Sequence, residues 1–185
     1  VVIATAIGKK EEDTIHKAVH TAIITALIGG LLVTVVGELL IGGLLQMLNV
    51  PEDVYPYALL YVRIYLAGMP VILLYNFEAA IFRSVGETKT PLKALAAAGV
   101  LNVLLNLFFV IVLKMTVNGV AIATVISNAI SSILLFVKLM RTDSVVRIRR
   151  QELRFDKRIF KKIIQIGLPA GIQSAVFSVA NIVIQ

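Results

Sequence analysis

The sequence predicts an all-α integral membrane protein, and three observations carry that prediction. Apolar residues make up 58% of the 185 and charged residues 16%, against roughly 45–50% and about 25% in soluble domains. A soluble chain of this size has no interior large enough to hide the excess. The apolar residues also fall in uninterrupted runs near the ~20 that cross a ~30 Å hydrocarbon core. Finally, the basic residues sit in the gaps between runs and alternate from one gap to the next.

Taken in order, residues 1–8 read as the tail of a helix. Residues 18–37 are a 20-residue run with no formal charge. The run 54–82 is apolar apart from Arg63 and Glu78, and 94–113 is a second uncharged 20-mer. Two 23-residue runs follow, 115–137 and 163–185. That makes five spans and one fragment. Strands do not fit, because the runs are continuous rather than alternating and are too long. The chain starts at Val1 and stops at Gln185 within an apolar run, so both ends read as cut.

The gaps set the orientation. They hold 3, 0, 3, 1 and 10 basic residues in succession. Under the positive-inside rule the loops 9–17, 83–93 and 138–162 are cytoplasmic. A net charge of +7 distributed in this way is topological information, not the clustered basic face of a nucleic-acid binder. Residues 39–48 are too short to span and are expected at the outer surface. Residues 155–166 are expected as an amphipathic helix at the inner interface.

Little here suggests an enzyme. There are no cysteines, so thiolate metal sites and disulfides are excluded. His16 and His20 share a helix face, as in a H-E-x-x-H zinc site. The glutamate and a third ligand are missing, and two interfacial histidines are the plainer reading. No nucleophile–base pair, Walker loop or paired carboxylates stand out, and no cofactor is expected. Arg63 is expected to snorkel to the outer interface, and Glu78 to sit at the inner one. Gly68, Pro70, Gly167 and Pro169 mark bending points within or at the start of spans.

The polar residues at mid-depth are more informative. Asn102 and Asn106 are an i,i+4 pair near the middle of one run. Thr124, Ser127, Asn128 and Ser131 form a stripe near the middle of the next. Amides facing lipid at that depth are costly, so these groups should point into the bundle. Interhelical packing and a binding site both account for such a stripe.

Several segments carry a resemblance to a known family. The loop Arg83-Ser84-Val85-Gly86-Glu87-Thr88-Lys89-Thr90-Pro91 resembles the R-G-x-G-[DE]-T-K-T-P loop of multidrug and toxic compound extrusion (MATE) transporters, with Ser84 in place of the first glycine. Tyr61-Val62-Arg63 with Gly68-Met69-Pro70 resembles that family's fourth helix. Asn102-x-x-x-Asn106 resembles the fifth, and the segment from Asn118 to Thr124 the sixth. Ile166-Gly167-Leu168-Pro169-Ala170 with Gln173 resembles the start of the seventh.

The resemblance implies an incomplete six-helix N-lobe of a two-lobe, twelve-helix transporter, plus the start of helix seven. Residues 1–140 would run from the end of helix two through helix six. Residues 141–162 would be the cytoplasmic interlobe linker, and 163–185 the start of the C-lobe. The implied activity is alternating-access antiport at the cell (inner) membrane, exporting organic cations or amphipathic drugs against Na⁺ or H⁺. The full-length protein is expected to be a monomer. Alternatives are a lipid-linked oligosaccharide flippase of the same superfamily, or a membrane scaffold. Asn102, Asn106 and Thr124 match family positions of an N-lobe cation site, and Asn128 is grouped with them. Many members carry aspartate at the position of Asn106 and glutamate at that of Phe177.

Overall fold

The computed structural model describes residues 1–148 and 154–184, with the side chains of all but 179 and 181–184. It is helical throughout, with no strand among the described residues. The helices are α1 (Val2–Gly8), α2 (Glu12–Met47), α3 (Tyr55–Ala67), α4 (Met69–Ser84), α5 (Lys89–Leu107), α6 (Val117–Arg141) and α7 (Lys157–Ile184). A π-helical turn, Phe108–Val112, extends α5.

Three segments are long and apolar enough to cross a membrane: α2, α5 with its π-turn, and α6. The pair α3–α4 makes a fourth, bent by 48°. These match four of the five expected spans. The fifth expected span falls on α7, a continuous helix with Pro169 inside it.

The structure adds detail to four expectations. Residues 39–48 are the end of α2, which continues through them to Met47. No proline interrupts this stretch, and helical glycines such as Gly42 and Gly43 cost only about 1 kcal/mol each. At ~1.5 Å per residue, α2 is roughly 54 Å long and projects beyond a hydrocarbon core. Arg63 does not simply snorkel: its Nε lies 3.3 Å from Glu38 Oε2 on α2. Residues 155–166 are no separate amphipathic helix, since α7 runs unbroken from Lys157. Glu78, near the inner end of its span, is fully buried (0% exposed) inside the bundle.

The bend between α3 and α4 has a local cause. Pro70 cannot donate the N–H that would bond the Leu66 carbonyl four residues earlier. Close packing holds the bend on two sides. A Cβ on Gly30 of α2 would lie 2.3 Å from Pro70 Cα, and one on Gly68 would lie 2.4 Å from Val125 Cγ2 of α6. Only hydrogen at both positions allows α2 and α6 to approach this closely.

The core sits where α2, α4 and α6 meet. Ile15, Val19, Ile23, Ile81, Phe82, Leu135 and Leu139 are buried there together. The chain after α6 folds back onto this core. Val146 and Ile148 are buried in it, and the Ile148 N–H donates to the Leu139 carbonyl at 3.1 Å. Asp156 then starts α7. Its Oδ1 accepts the N–H groups of Arg158 (2.8 Å) and Ile159 (3.1 Å), capping the helix. Its own N–H donates to Thr21 Oγ1 of α2 at 3.1 Å.

Candidate functional site

The mid-depth polar residues meet between α5 and α6. These helices pack along their length, α5 presenting Asn102 and Asn106 one turn apart and α6 presenting Thr124 and Ser127 one turn apart. The Asn106 amide donates to Asn102 Oδ1 at 3.0 Å. The Asn102 amide donates to Thr124 Oγ1 at 3.3 Å and to Ser127 Oγ at 3.4 Å. Thr124 Oγ1 in turn donates to the Val120 carbonyl at 3.0 Å, and Ser127 Oγ to the Thr124 carbonyl at 3.0 Å. Asn102, Asn106 and Thr124 are each half-buried, and Ser127 is buried.

One atom of this chain of bonds is left over. Asn106 Oδ1 is buried and accepts no hydrogen bond. A buried carbonyl oxygen without a donor is unfavourable by about 1–3 kcal/mol. The cluster therefore ends in an unused acceptor, with no charged side chain among its members. Such a set offers amide and hydroxyl oxygens, the ligand type hard cations prefer. None of the four groups titrates near neutral pH.

The structure brings three of the four expected site residues together and sets one apart. The Asn128 amide donates at 2.8 Å to the Thr124 carbonyl of its own helix, not to the asparagines of α5. Ser127 takes its place beside Asn102. The sequence contains the signal for this, since Ser127 lies three residues after Thr124 and Asn128 four. Which of the two faces α5 depends on the rotation of α6 about its axis. Among the described residues, no third His, Cys, Asp or Glu joins His16 and His20 in a group that could hold a metal ion.

Three membrane-length helices and one bent pair define part of a polytopic membrane protein, with uncharged amide and hydroxyl oxygens gathered between α5 and α6. Comparison with known proteins makes the class specific. The MatE family model matches residues 1–108. Probable multidrug resistance protein YoeA of Bacillus subtilis is 27% identical over 191 residues, covering 100% of this chain and 41% of the relative. Probable multidrug resistance protein YpnP of the same organism is 32% identical over 136 residues, covering 73% of this chain and 30% of the relative. Among solved structures, a multidrug resistance MATE family transporter of the MOP superfamily in its outward-facing conformation superimposes with a TM-score of 0.89. The two are 26% identical, over 98% of this chain and 40% of the other. The chain belongs to the MatE family, as a piece of its N-terminal half. It spans less than half the length of the curated relatives it matches.

Proposed function

We propose that this chain is most of the N-lobe of a secondary antiporter, which exports organic cations or amphipathic drugs in exchange for Na⁺ or H⁺ by alternating access. Residues 1–140 are the N-lobe portion, 141–162 the cytoplasmic interlobe linker and 163–185 the start of the C-lobe. The protein lies in the cell membrane with 9–17, 83–93 and 138–162 on the cytoplasmic side, and the full-length form is a monomer. Family membership and relatives named as multidrug resistance proteins support this reading.

The observation that carries the cation site is the unused Asn106 Oδ1, at the end of the Asn106–Asn102–Thr124 chain of bonds. A monovalent cation beside that oxygen would gain the Asn102 carbonyl and the Thr124 and Ser127 hydroxyls once the Asn106–Asn102–Thr124 chain of bonds is broken and its amides are turned. Asn128 contributes by holding the Thr124 backbone. The site is neutral, so a proton exchanged by this protein is carried by a different group.

The test is transport by the full-length protein in liposomes. A fluorescent organic cation should move when a Na⁺ or a pH gradient is imposed and stop when the gradient is collapsed. Movement of a lipid-linked saccharide with no gradient-dependent cation flux would replace antiport by the flippase alternative.

A further inference from the structure

We propose that Glu78 is a proton-binding residue on the cytoplasmic side of the lobe, joined to the Asn102–Thr124 site through helix α6. The inference deepens the antiport reading and rests on it for the role of the proton.

Glu78 lies on α4 where α2 and α6 close over it, and it is fully buried. Its Oε2 accepts one hydrogen bond, from Ser132 Oγ at 2.9 Å. Its Oε1 is buried with no partner. Among the described residues the ion pairs are Lys17–Asp13 and Arg63–Glu38, so no lysine or arginine neutralises this carboxyl. A bare carboxylate without a counter-charge is among the most costly groups to bury. A proton on Oε1 removes that charge and uses the open lone pair.

Other ionisable side chains occupy the packed elements: Glu12, Asp13, Lys89 and Arg141 are exposed, and Lys17 and Glu38 half-buried. On α2, His20 is buried and His16 half-buried. On α4 itself, Tyr75 is half-buried and Arg83 exposed. Lys93 of α5 and Lys138 of α6 are exposed, and α1 has no ionisable side chain. The α3 groups, Arg63 and its tyrosines, lie beyond the Gly68 bend, towards the opposite end of the span.

The link to the amide site is built into α6. Thr124 and Ser127 receive Asn102, Ser131 Oγ donates to the Ala94 carbonyl of α5 at 3.1 Å, and Ser132 holds Glu78. Ser127, Ser131 and Ser132 are all buried. Eight residues separate Thr124 from Ser132, about 12 Å along the axis. A shift or rotation of α6 that alters the cation site therefore also alters the one hydrogen bond of Glu78. In the cycle, an O–H bond forms at Glu78 Oε1 with a proton given up by hydronium from the outer side, which leaves as water. That bond breaks when the proton passes to cytoplasmic water.

Two measurements on the full-length protein test this. The first is the infrared difference spectrum of the parent minus Glu78→Gln. It should contain the C=O band of a protonated carboxyl, diminishing as pH rises, and Ser132→Ala should move that band to higher frequency. A difference spectrum without this band at any pH overturns the proposal, whether or not the protein transports anything. The second is uptake of the fluorescent cation into liposomes. Glu78→Gln should lose uptake driven by a pH gradient yet keep substrate counterflow, which needs no net proton movement. Glu78→Asp should restore part of the pH-driven uptake. Uptake by Glu78→Gln equal to the parent's, or loss of counterflow together with pH-driven uptake in a folded protein, overturns it. A parent without gradient-driven uptake defeats the antiport reading alone, and the infrared band still decides Glu78.

Discussion

The hydroxyl of Thr34 on α2 donates to the Leu66 carbonyl at 2.6 Å, the acceptor that Pro70 deprives of its helical N–H. A proline bend in a membrane helix exposes a carbonyl that lipid cannot satisfy. Here a side chain from the neighbouring helix takes it up, together with a backbone N–H of the tightened turn at the Gly68 cap. The bend is thus fixed by α2 as much as by its own proline.

Removing that hydroxyl should loosen the bend. Thr34→Val keeps the shape and loses the donor, so it is expected to destabilise the full-length protein by about 1–2 kcal/mol. Thr34→Ser should be close to the parent. Thermal unfolding of the purified variants in detergent checks both, and a Thr34→Val protein as stable as the parent would show that the turn satisfies Leu66 unaided.

The packing on the other side of the bend predicts a rescue. Gly68→Ala places a Cβ against Val125, an overpacking of the kind that costs about 1–3 kcal/mol. Val125→Ala should relieve it in the double variant, a non-additive result expected only of residues in contact. Equal stabilities for the single and double variants would rule out direct contact.

How much of this was legible beforehand depended on how far apart the partners lie in the chain. Four of the spans were legible because each is a long apolar run, and Gly68 with Pro70 located the bend. The Asn102–Asn106 pair was legible because both partners lie on one helical turn. The continuation of α2 past Glu38 was not, since the residue that accommodates Glu38 is Arg63 on another helix. The burial of Glu78 was not legible for the same reason: Ser132, its one hydrogen-bond partner, is 54 residues away. The exchange of Asn128 for Ser127 turned on a rotation of α6 that the stripe's spacing alone does not specify.

Acid should weaken the start of α7. The N–H groups of Ile159 and then Arg158, with the charge of Lys17, hold the Asp156 carboxyl below the usual carboxylate range. A carboxyl held lower in the folded state stabilises it fully above its unfolded value, about 3.9. That contribution is lost as pH falls through the lowered folded value. Hydrogen exchange of the first turn of α7 should therefore be unchanged from neutral pH down to about 4 and lose protection only below it. Asp156→Ala should lack protection throughout. An Asp156→Ala protein with parental protection would show that the Thr21 contact alone docks this turn.

Orientation follows from the basic gaps. Cysteine placed at Asn49, between α2 and α3, should react with an impermeant reagent outside intact cells. Cysteine at Ser144, after α6, should react only once the membrane is opened. The reverse pattern would invert the proposed topology.

The central claim is that the oxygens gathered between α5 and α6 bind the transported or coupling cation. Ion-gradient-driven transport by full-length Asn106→Ala and Thr124→Ala, at matched membrane levels, tests it most directly. Asn106→Ala removes the unused oxygen and the donor to Asn102, and should transport weakly. Thr124→Ala removes one acceptor of the Asn102 amide while Ser127 remains, so its loss should be smaller. Alanine variants that transport like the parent across the range of ion gradients would make the cluster a packing contact and contradict the site.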